Sequence, residues 1–166
     1  IVIDRLRIDC KEADLSEWQR VLDAERNPTR DMKLVMVGKY MELHDAYKSL
    51  TEAIHHAGIH TGTRVDISYL DAETLMKEGD GCLSDADAIL VPGGFGERGF
   101  EGKIMAARYA RENRVPYLGI CYGLHAAIIE FARNVAGLEG ANTTEIDRLC
   151  SHPVIGLNTE WTTEDG

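Results

Sequence analysis

The segment Gly-Ile-Cys-Tyr-Gly at residues 119–123 places a potential nucleophile between two glycines. A cysteine thiolate can attack an acyl group, and glycines on both sides permit the tight strand-to-helix turn called a nucleophile elbow. In such a turn the thiol of Cys121 is exposed at the edge of a sheet, and the N–H of Tyr122 can donate to an oxyanion. The N-terminus of the following helix favours a thiolate over a thiol. The segment therefore predicts a nucleophilic cysteine, whereas the alternative is a small buried apolar residue, the usual role of an isolated cysteine.

A second segment, Pro-Gly-Gly-Phe-Gly-Glu-Arg-Gly at residues 92–99, contains four glycines and follows the apolar run 88–91. Glycine lets backbone N–H groups approach a ligand closely, because no side chain obstructs them and left-handed backbone angles are accessible. Such a loop could surround an oxyanion. The alternatives are a plain turn and a phosphate-binding loop, but the Gly-Lys-Ser/Thr ending of the latter is absent.

A cysteine nucleophile needs a basic partner, and histidine is the usual one. The six histidines are at positions 44, 55, 56, 60, 125 and 152. None is an obvious base. His125 falls in the first turn of the helix expected after Cys121, so we expect it to contact a ligand rather than act as the base. The scattered histidines and the four cysteines, which form no Cys-x-x-Cys pair, predict no metal site.

Apolar runs and helical periodicities alternate along the chain. The run 32–37 predicts a buried strand, and the spacing of Tyr47, Leu50 and Ile54 predicts a helix that ends near Gly58. The remaining predicted elements are strands at 64–70, 88–91, 116–120 and 154–161, and helices at 72–78, 101–112 and 124–136, the last with a regular apolar stripe at Leu124, Ile128, Phe131 and Val135. This alternation predicts an α/β three-layer sandwich with a mainly parallel central sheet, whose ligands bind at the carboxyl ends of the strands. The loops after Val91 and Ile120 are therefore the candidate site.

The length of 166 residues predicts one domain, and the net charge of −10 argues against nucleic acid or anionic lipid as a partner. No apolar run reaches the roughly 18 residues of a membrane span. The polar cluster at 27–31 makes residues 1–30 a predicted connector. The Asp-Gly pair that ends the chain predicts a hairpin turn, so we expect a further part of the domain after residue 166. The absence of a secretory signal favours a cytoplasmic protein with free thiols.

Several strings of the chain resemble one family. They are Leu-Ser-Glu-Trp at 15–18, Val-Gly-Lys-Tyr-Met-Glu-Leu at 37–43, Asp-Ala-Tyr-Lys-Ser at 45–49, the segment 91–99, Ala-Arg-Glu-Asn at 110–113, the segment 116–121 and Ala-Asn-Thr-Thr-Glu at 141–145. Together they resemble the glutamine amidotransferase domain of CTP synthase, a class I glutaminase with a catalytic triad. The resemblance implies a flavodoxin-like topology, with residues 1–30 as the linker from a synthase domain and 31–166 as the N-terminal part of the glutaminase domain.

The resemblance also implies roles for individual residues. Glutamine would be hydrolysed through a thioester on Cys121, and Gly94 with the Tyr122 backbone would form the oxyanion hole. Glu145 would bind the amino group of glutamine, and Phe95 with Arg98 would belong to a lid that responds to the effector GTP. The complete set of implied substrate-binding residues is Gly93, Gly94, Tyr122, Gly123, Leu124, His125 and Glu145.

The same resemblance implies that ammonia passes to a synthase domain that uses ATP and magnesium to aminate UTP to CTP. No cofactor is then expected in this domain, and a homotetramer is expected for the parent protein. The catalytic His and Glu, in a His-x-Glu motif, and a glutamine-binding arginine would follow residue 166, so the chain would be weakly active or inactive by itself.

The chain departs from the family at residues 121–125, which read Cys-Tyr-Gly-Leu-His where Cys-Leu-Gly-Met-Gln is usual. An imidazole at His125 then replaces the amide that hydrogen-bonds the substrate. Two other interpretations stay open. One is a PfpI-type hydrolase or chaperone, although that family commonly has histidine at the position of Tyr122. The other is a non-catalytic regulatory module that has lost the use of glutamine.

Overall fold

The central sheet has four parallel strands in the spatial order β2-β1-β3-β4. The structure is a computed structural model that describes residues 2–9, 11, 13–39 and 44–156. The strands are β1 (Arg30–Gly38), β2 (Thr63–Asp71), β3 (Ala88–Val91) and β4 (Tyr117–Gly119). All four coincide with runs predicted from the sequence, and their order is that of the first four strands of a flavodoxin-like sheet.

Helices cover both faces of this sheet. They are α3 (Lys48–Thr61), α4 (Ala72–Glu78), α5 (Phe100–Asn113) and α6 (Tyr122–Asn134). Successive side chains of β1 point to opposite faces, so Val35 and Val37 pack with α4 and α5, whereas Leu34 and Met36 pack with α3. Because the central strand is buried on both sides, its sequence is a continuous apolar run, and the predicted three-layer α/β architecture is confirmed.

A second, two-stranded parallel sheet lies beside α6. It consists of β5 (Ala141–Thr143) and β6 (His152–Ile155). Val154 and Ile155 pack against a cluster that includes Phe100 of α5 and Ile129 of α6. The strand predicted at 154–161 therefore begins at His152, while its part from residue 157 onward, and the predicted Asp-Gly turn, lie outside the described residues.

The helix predicted to end near Gly58 continues to Thr61. Its C-cap is Gly62, whose φ of 62° is in the left-handed region that glycine adopts without strain. Gly58 has a different function, because a Cβ atom there would lie 2.6 Å from the carbonyl oxygen of Thr63. The glycine allows α3 to approach the start of β2 closely. The prediction that Gly58 marks the end of the helix is therefore wrong, because Gly62 terminates α3.

The predicted connector contains helical structure. Helices α1 (Val2–Leu6) and α2 (Ser16–Arg26) precede β1, and α2 has no buried residue. The Nε2 of His55 on α3 lies 3.6 Å from a carboxylate oxygen of Glu25 on α2. The break predicted at residues 27–31 is observed at Asn27, the C-cap of α2. No described helix has both the length and the apolar character needed to span a membrane.

The apolar stripe of α6 lies on the surface of the described structure. Leu124, Ile128, Phe131 and Val135 are each between 40% and 54% exposed. The buried face of the helix carries glycine and alanine residues together with Tyr122, Ile129 and Glu130. The periodicity therefore predicted the helix correctly. It did not indicate which face of the helix packs against the rest of the described structure.

Candidate active site

Cys121 occupies a strained turn between β4 and α6. It is the N-cap of α6, and its φ of 54° and ψ of −111° are unusual for a residue with a side chain. Such conformations cost about 1–3 kcal/mol and persist where the surrounding structure enforces them, commonly at functional sites. The residue is exposed, and its thiol is free. This is the geometry predicted for a nucleophile elbow.

The two glycines that flank Cys121 permit close approaches that no other residue would allow. A Cβ atom at Gly123 would lie 2.0 Å from the carbonyl oxygen of Val91, and one at Gly119 would lie 2.5 Å from the carbonyl carbon of Gly123. The hydroxyl of Tyr117 donates to the carbonyl oxygen of Gly123 at 2.8 Å. Burial raises the pKa of Tyr117, so the hydroxyl remains a donor. The strand, the turn and the helix are thus held together by backbone contacts.

The segment 92–99, which we call the glycine loop, lies directly beside this elbow. A Cβ atom at Gly93 would be 3.4 Å from the Cβ of Cys121 and 3.9 Å from its Sγ. Gly94, Gly96 and Gly99 have φ values of 122°, 95° and 70°, which explains the density of glycine in the loop. The two motifs singled out in the sequence therefore form one site.

Several backbone N–H groups at this site have no acceptor in the described part of the chain, among them those of Gly94 in the glycine loop and of Tyr122 at the first position of α6. An N–H at a helix N-terminus carries the positive end of the helix dipole, which favours an anion. At Tyr122, which directly follows Cys121, this polarity favours a negative charge beside the thiol.

Two lysines bind the other side of the glycine loop. Lys103 on α5 is fully buried, and its Nζ donates to the carbonyl oxygens of Pro92, Gly93 and Gly94 at 3.2, 3.4 and 3.4 Å. Lys39 follows β1, and its Nζ donates to the carbonyl oxygens of residues 95 and 96 at 2.8 and 2.9 Å. Burial, and then the positive charge of Lys39, lower the pKa of Lys103 to about 8. Burial, and then the charge of Arg98, lower the pKa of Lys39.

The side chain of Tyr122 lies in an aromatic cluster beneath the loop. Its ring centroid is 4.6 Å from that of Phe100, 5.6 Å from that of Phe95 and 5.4 Å from that of His125. Burial, and then the Glu145 carboxylate, raise the pKa of Tyr122 to about 12. Among the described residues, neither the hydroxyl of Tyr122 nor the buried Nδ1 of His125 has a hydrogen-bond partner.

The remaining predicted site residues lie around this centre. Glu145 follows β5 and is exposed. Its carboxylate acts electrostatically on Tyr122 and on Lys39, so it lies near both of these residues. Phe95 is 67% exposed, and the Nε of Arg98 pairs with a carboxylate oxygen of Glu73 at 3.8 Å. The side chain of Leu124 is exposed on the apolar face of α6.

No imidazole hydrogen-bonds the thiol of Cys121 among the described residues, and a basic group that acts on it electrostatically is the ammonium of Lys103. No cluster of His, Cys, Asp and Glu suited to a metal ion occurs in that part of the chain. The structure thus places an exposed thiol at a strained turn, beside a glycine-rich loop and the N-terminus of α6.

Sequence reasoning did not identify Lys39 and Lys103. A signal for Lys103 was available, because position 103 shares a helical face with Phe100, Ile104 and Ala107, all of which are buried. A lysine within an apolar face indicates a buried cation that needs acceptors.

Two comparisons with known proteins agree with this geometry. Residues 42–163 match the family described as glutamine amidotransferase class-I. The structure is similar to that of a Trypanosoma brucei protein, "CTPS - glutaminase domain with bound acivicin", with a TM-score of 0.71 and 39% sequence identity. The match covers 76% of this chain and 50% of the Trypanosoma chain, so this chain corresponds to about half of that domain. The chain belongs to the class I glutamine amidotransferases.

Proposed function

We propose that this chain hydrolyses glutamine through a thioester on Cys121, as part of a CTP synthase. The observation that carries the proposal is the strained φ of 54° at Cys121, directly beside Gly93 of the glycine loop. The thiolate adds to the side-chain carboxamide carbon of glutamine. The resulting intermediate expels ammonia, whose third proton comes from the group that deprotonates the thiol. Water then hydrolyses the thioester, which yields glutamate and regenerates the thiol.

The N–H groups of Gly94 and Tyr122 act in both steps. Negative charge develops on the carboxamide oxygen when the thiolate adds, and fixed donors in place beforehand stabilise it without reorganisation. Loss of one such donor costs roughly 100-fold to 1,000-fold in kcat in comparable enzymes. The two groups support the proposal because Tyr122 follows Cys121 in sequence, Gly94 follows Gly93, which lies against Cys121, and neither N–H has an acceptor within the described chain.

Glutamine is held by the residues that surround this centre. A zwitterionic amino acid requires a carboxylate for its ammonium group, and the exposed Glu145 supplies one. The imidazole of His125, which packs beside Tyr122 in the first turn of α6, contacts the bound substrate in this proposal. The backbone of Gly93, Gly123 and Leu124 completes the pocket, and Phe95 with Arg98 forms a lid that responds to GTP.

The proposed partner of the domain is a synthase domain that uses the released ammonia to convert UTP to CTP. The support is the similarity to the Trypanosoma CTPS domain and the family strings of the sequence. ATP and magnesium bind that partner domain, this domain holds no cofactor, and the parent protein is a cytoplasmic homotetramer.

The chain of 166 residues is weakly active or inactive by itself. Cysteine needs a general base to reach full reactivity, and the described residues bring no imidazole to the Sγ of Cys121. The proposal assigns the catalytic His and Glu, as the family resemblance implies, to a part of the parent protein outside these residues.

The test is a glutaminase assay on the full-length parent protein, its Cys121→Ala variant and the 166-residue chain. The proposal predicts glutamate release by the full-length protein alone, and CTP formation by Cys121→Ala with added ammonia but not with glutamine. Glutamine-dependent activity that survives Cys121→Ala would overturn it. If the unsubstituted protein forms CTP with added ammonia but not with glutamine, the domain is instead a non-catalytic regulatory module.

A further inference from the structure

We propose that Lys103 is a positioning residue that fixes the glycine loop so that its N–H groups face Cys121. The inference rests on the proposed nucleophilic role of Cys121. Three successive carbonyl groups of the loop, those of Pro92, Gly93 and Gly94, accept hydrogen bonds from the one ammonium group of Lys103. An ammonium group has three donors, so this arrangement uses its full capacity.

The geometry of the peptide bond links these carbonyls to the oxyanion donor. A trans peptide is planar, with its C=O and N–H groups pointing in opposite directions, and the structure contains no cis peptide among its described residues. The carbonyl of Gly93 is directed at Lys103, so the N–H of Gly94 points away from that lysine. Gly93 itself lies against Cys121. By holding one side of the loop, Lys103 thus orients the donors on the other side.

The burial of Lys103 indicates that an ammonium group is required at this position of α5. The side chain has no exposed surface, and it takes part in no ion pair within the described residues. A buried ammonium without a carboxylate is unfavourable, and a methionine would fill the same space without a desolvation cost. Carbonyl dipoles and the ring of Tyr122, whose centroid is 5.6 Å from the Nζ, replace the lost hydration.

Lys39 extends the same interaction along the loop. It holds the carbonyls of residues 95 and 96, immediately after the three that Lys103 holds. Five consecutive carbonyl groups, from Pro92 to Gly96, are therefore bound by two cations. Because glycine-rich backbone has high conformational entropy, it needs such external contacts to remain in a single conformation.

Protonation of Lys103 should affect catalysis through this loop. The charged or titratable groups near its ammonium are Lys39 after β1, Cys121 at the elbow and Tyr122 on α6, with Glu145 acting on the last of these and on Lys39. Loss of a proton removes one donor and the positive charge. Because the pKa of Lys103 is lowered to about 8, we expect kcat to fall as the pH rises above that value.

The experiment measures kcat and KM for glutamine hydrolysis by the full-length parent protein between pH 7 and pH 9.5. It compares the unsubstituted protein with Lys103→Met and Lys103→Arg, and with Lys77→Met as the matched control at an exposed position of α4. We expect Lys103→Met to lower kcat roughly 10-fold to 100-fold, which is less than the loss on removing an oxyanion donor, because the donor is displaced but still present. The KM should change less than about threefold. Lys103→Arg should retain more activity and show no alkaline fall, because arginine stays protonated. Lys77→Met should match the unsubstituted protein.

Three results would overturn the inference: a kcat of Lys103→Met within twofold of normal, a loss confined to KM, or an unchanged alkaline fall in Lys103→Arg. If Lys103→Met does not fold, as judged by circular dichroism, the pH profile of Lys103→Arg decides alone. Cys121→Ala separates this inference from the proposed function. An inactive Cys121→Ala beside a fully active Lys103→Met refutes only the positioning role, whereas an active Cys121→Ala refutes both.

Discussion

Gly93 packs directly against Cys121, since a Cβ atom on the glycine would lie 3.4 Å from the Cβ of the cysteine. The two residues meet because β3 and β4 are adjacent parallel strands, with Val91 opposite Gly119. The N–H of Ile120 donates to the carbonyl of Val91 at 2.9 Å and extends the pairing to the elbow. A loop and a turn far apart in sequence thereby meet at one edge of the sheet, where α/β proteins bind ligands.

Replacement of Gly123 by alanine should destabilise the fold. The new Cβ atom would lie 2.0 Å from the carbonyl oxygen of Val91, so strand and helix must separate. Overpacking of this kind costs about 1–3 kcal/mol and sometimes more, and the backbone partner cannot rotate away as a side chain would. We therefore expect Gly123→Ala to lower the free energy of unfolding by about 3 kcal/mol, measured by urea denaturation.

Gly81→Ala is the control for this experiment. A Cβ atom at Gly81 meets nothing within 4 Å, and the residue is exposed. Its free energy of unfolding should remain within about 0.5 kcal/mol of the unsubstituted protein. Equal stabilities for the two variants would contradict the close approach of α6 to β3.

Replacement of His125 by glutamine should strengthen glutamine binding. The buried Nδ1 of His125 has no partner among the described residues, and the family usually has an amide at this position. A buried hydrogen bond that is poorly made costs about 1–3 kcal/mol, which corresponds to roughly a 5-fold to 100-fold change in affinity. We expect His125→Gln to lower the KM for glutamine within this range, measured by steady-state kinetics on the full-length parent protein.

His60→Gln is the matched control, because His60 is exposed near the end of α3. It should leave the KM unchanged. An unchanged or higher KM in His125→Gln would show that the imidazole is not the weak contact in this pocket.

Lys103 should make the stability of the fold depend on pH. Its pKa is about 8 in the folded chain and near 10.5 in an unfolded chain, so between these values the unfolded state binds more protons. The free energy of unfolding therefore rises with pH in this range, by at most about 1.4 kcal/mol per pH unit from this group. Lys103→Met lacks this contribution. Urea denaturation at pH 8, 9 and 10 should show the stability of the unsubstituted chain increasing relative to that of the variant.

The raised pKa values of Tyr117 and Tyr122 oppose this trend near pH 10, but they are present in both proteins and do not affect the difference. A difference that stays constant from pH 8 to pH 10 would indicate that the pKa of Lys103 is not lowered.

The strands and the elbow could be predicted from sequence because their signals are local. The apolar run before Gly38 and the glycines on both sides of Cys121 report the burial and turn geometry of their own segment. The structural reason for a glycine at a given position was harder to predict from the sequence. Gly58 and Gly62 both lie near the end of α3, yet only Gly62 has a left-handed φ. Gly58 is needed because a side chain there would collide with the backbone of Thr63 on the next strand.

The support for the glycine loop could not be derived in the same way. Lys103 is in helical register with buried residues, but its three acceptors belong to a loop whose path depends on the packing of α5 against the sheet. The burial of α6 was also not evident, because its most apolar stripe is exposed in the described structure, while Tyr122 and Ile129 are buried. Both are tertiary effects that override the local pattern.

Covalent labelling distinguishes a nucleophilic Cys121 within a glutamine pocket from an ordinary exposed thiol. The protein is treated with acivicin, the compound bound in the Trypanosoma structure, with and without glutamine, and intact mass and peptide mapping identify the modified cysteine. The exposed thiol of Cys82 serves as the internal control, and Cys121→Ala as the matched variant. We expect the full-length protein to be labelled once, at Cys121, and glutamine to protect it from labelling. Labelling of Cys121 no faster than that of Cys82, with no protection by glutamine, would contradict a nucleophilic role for Cys121.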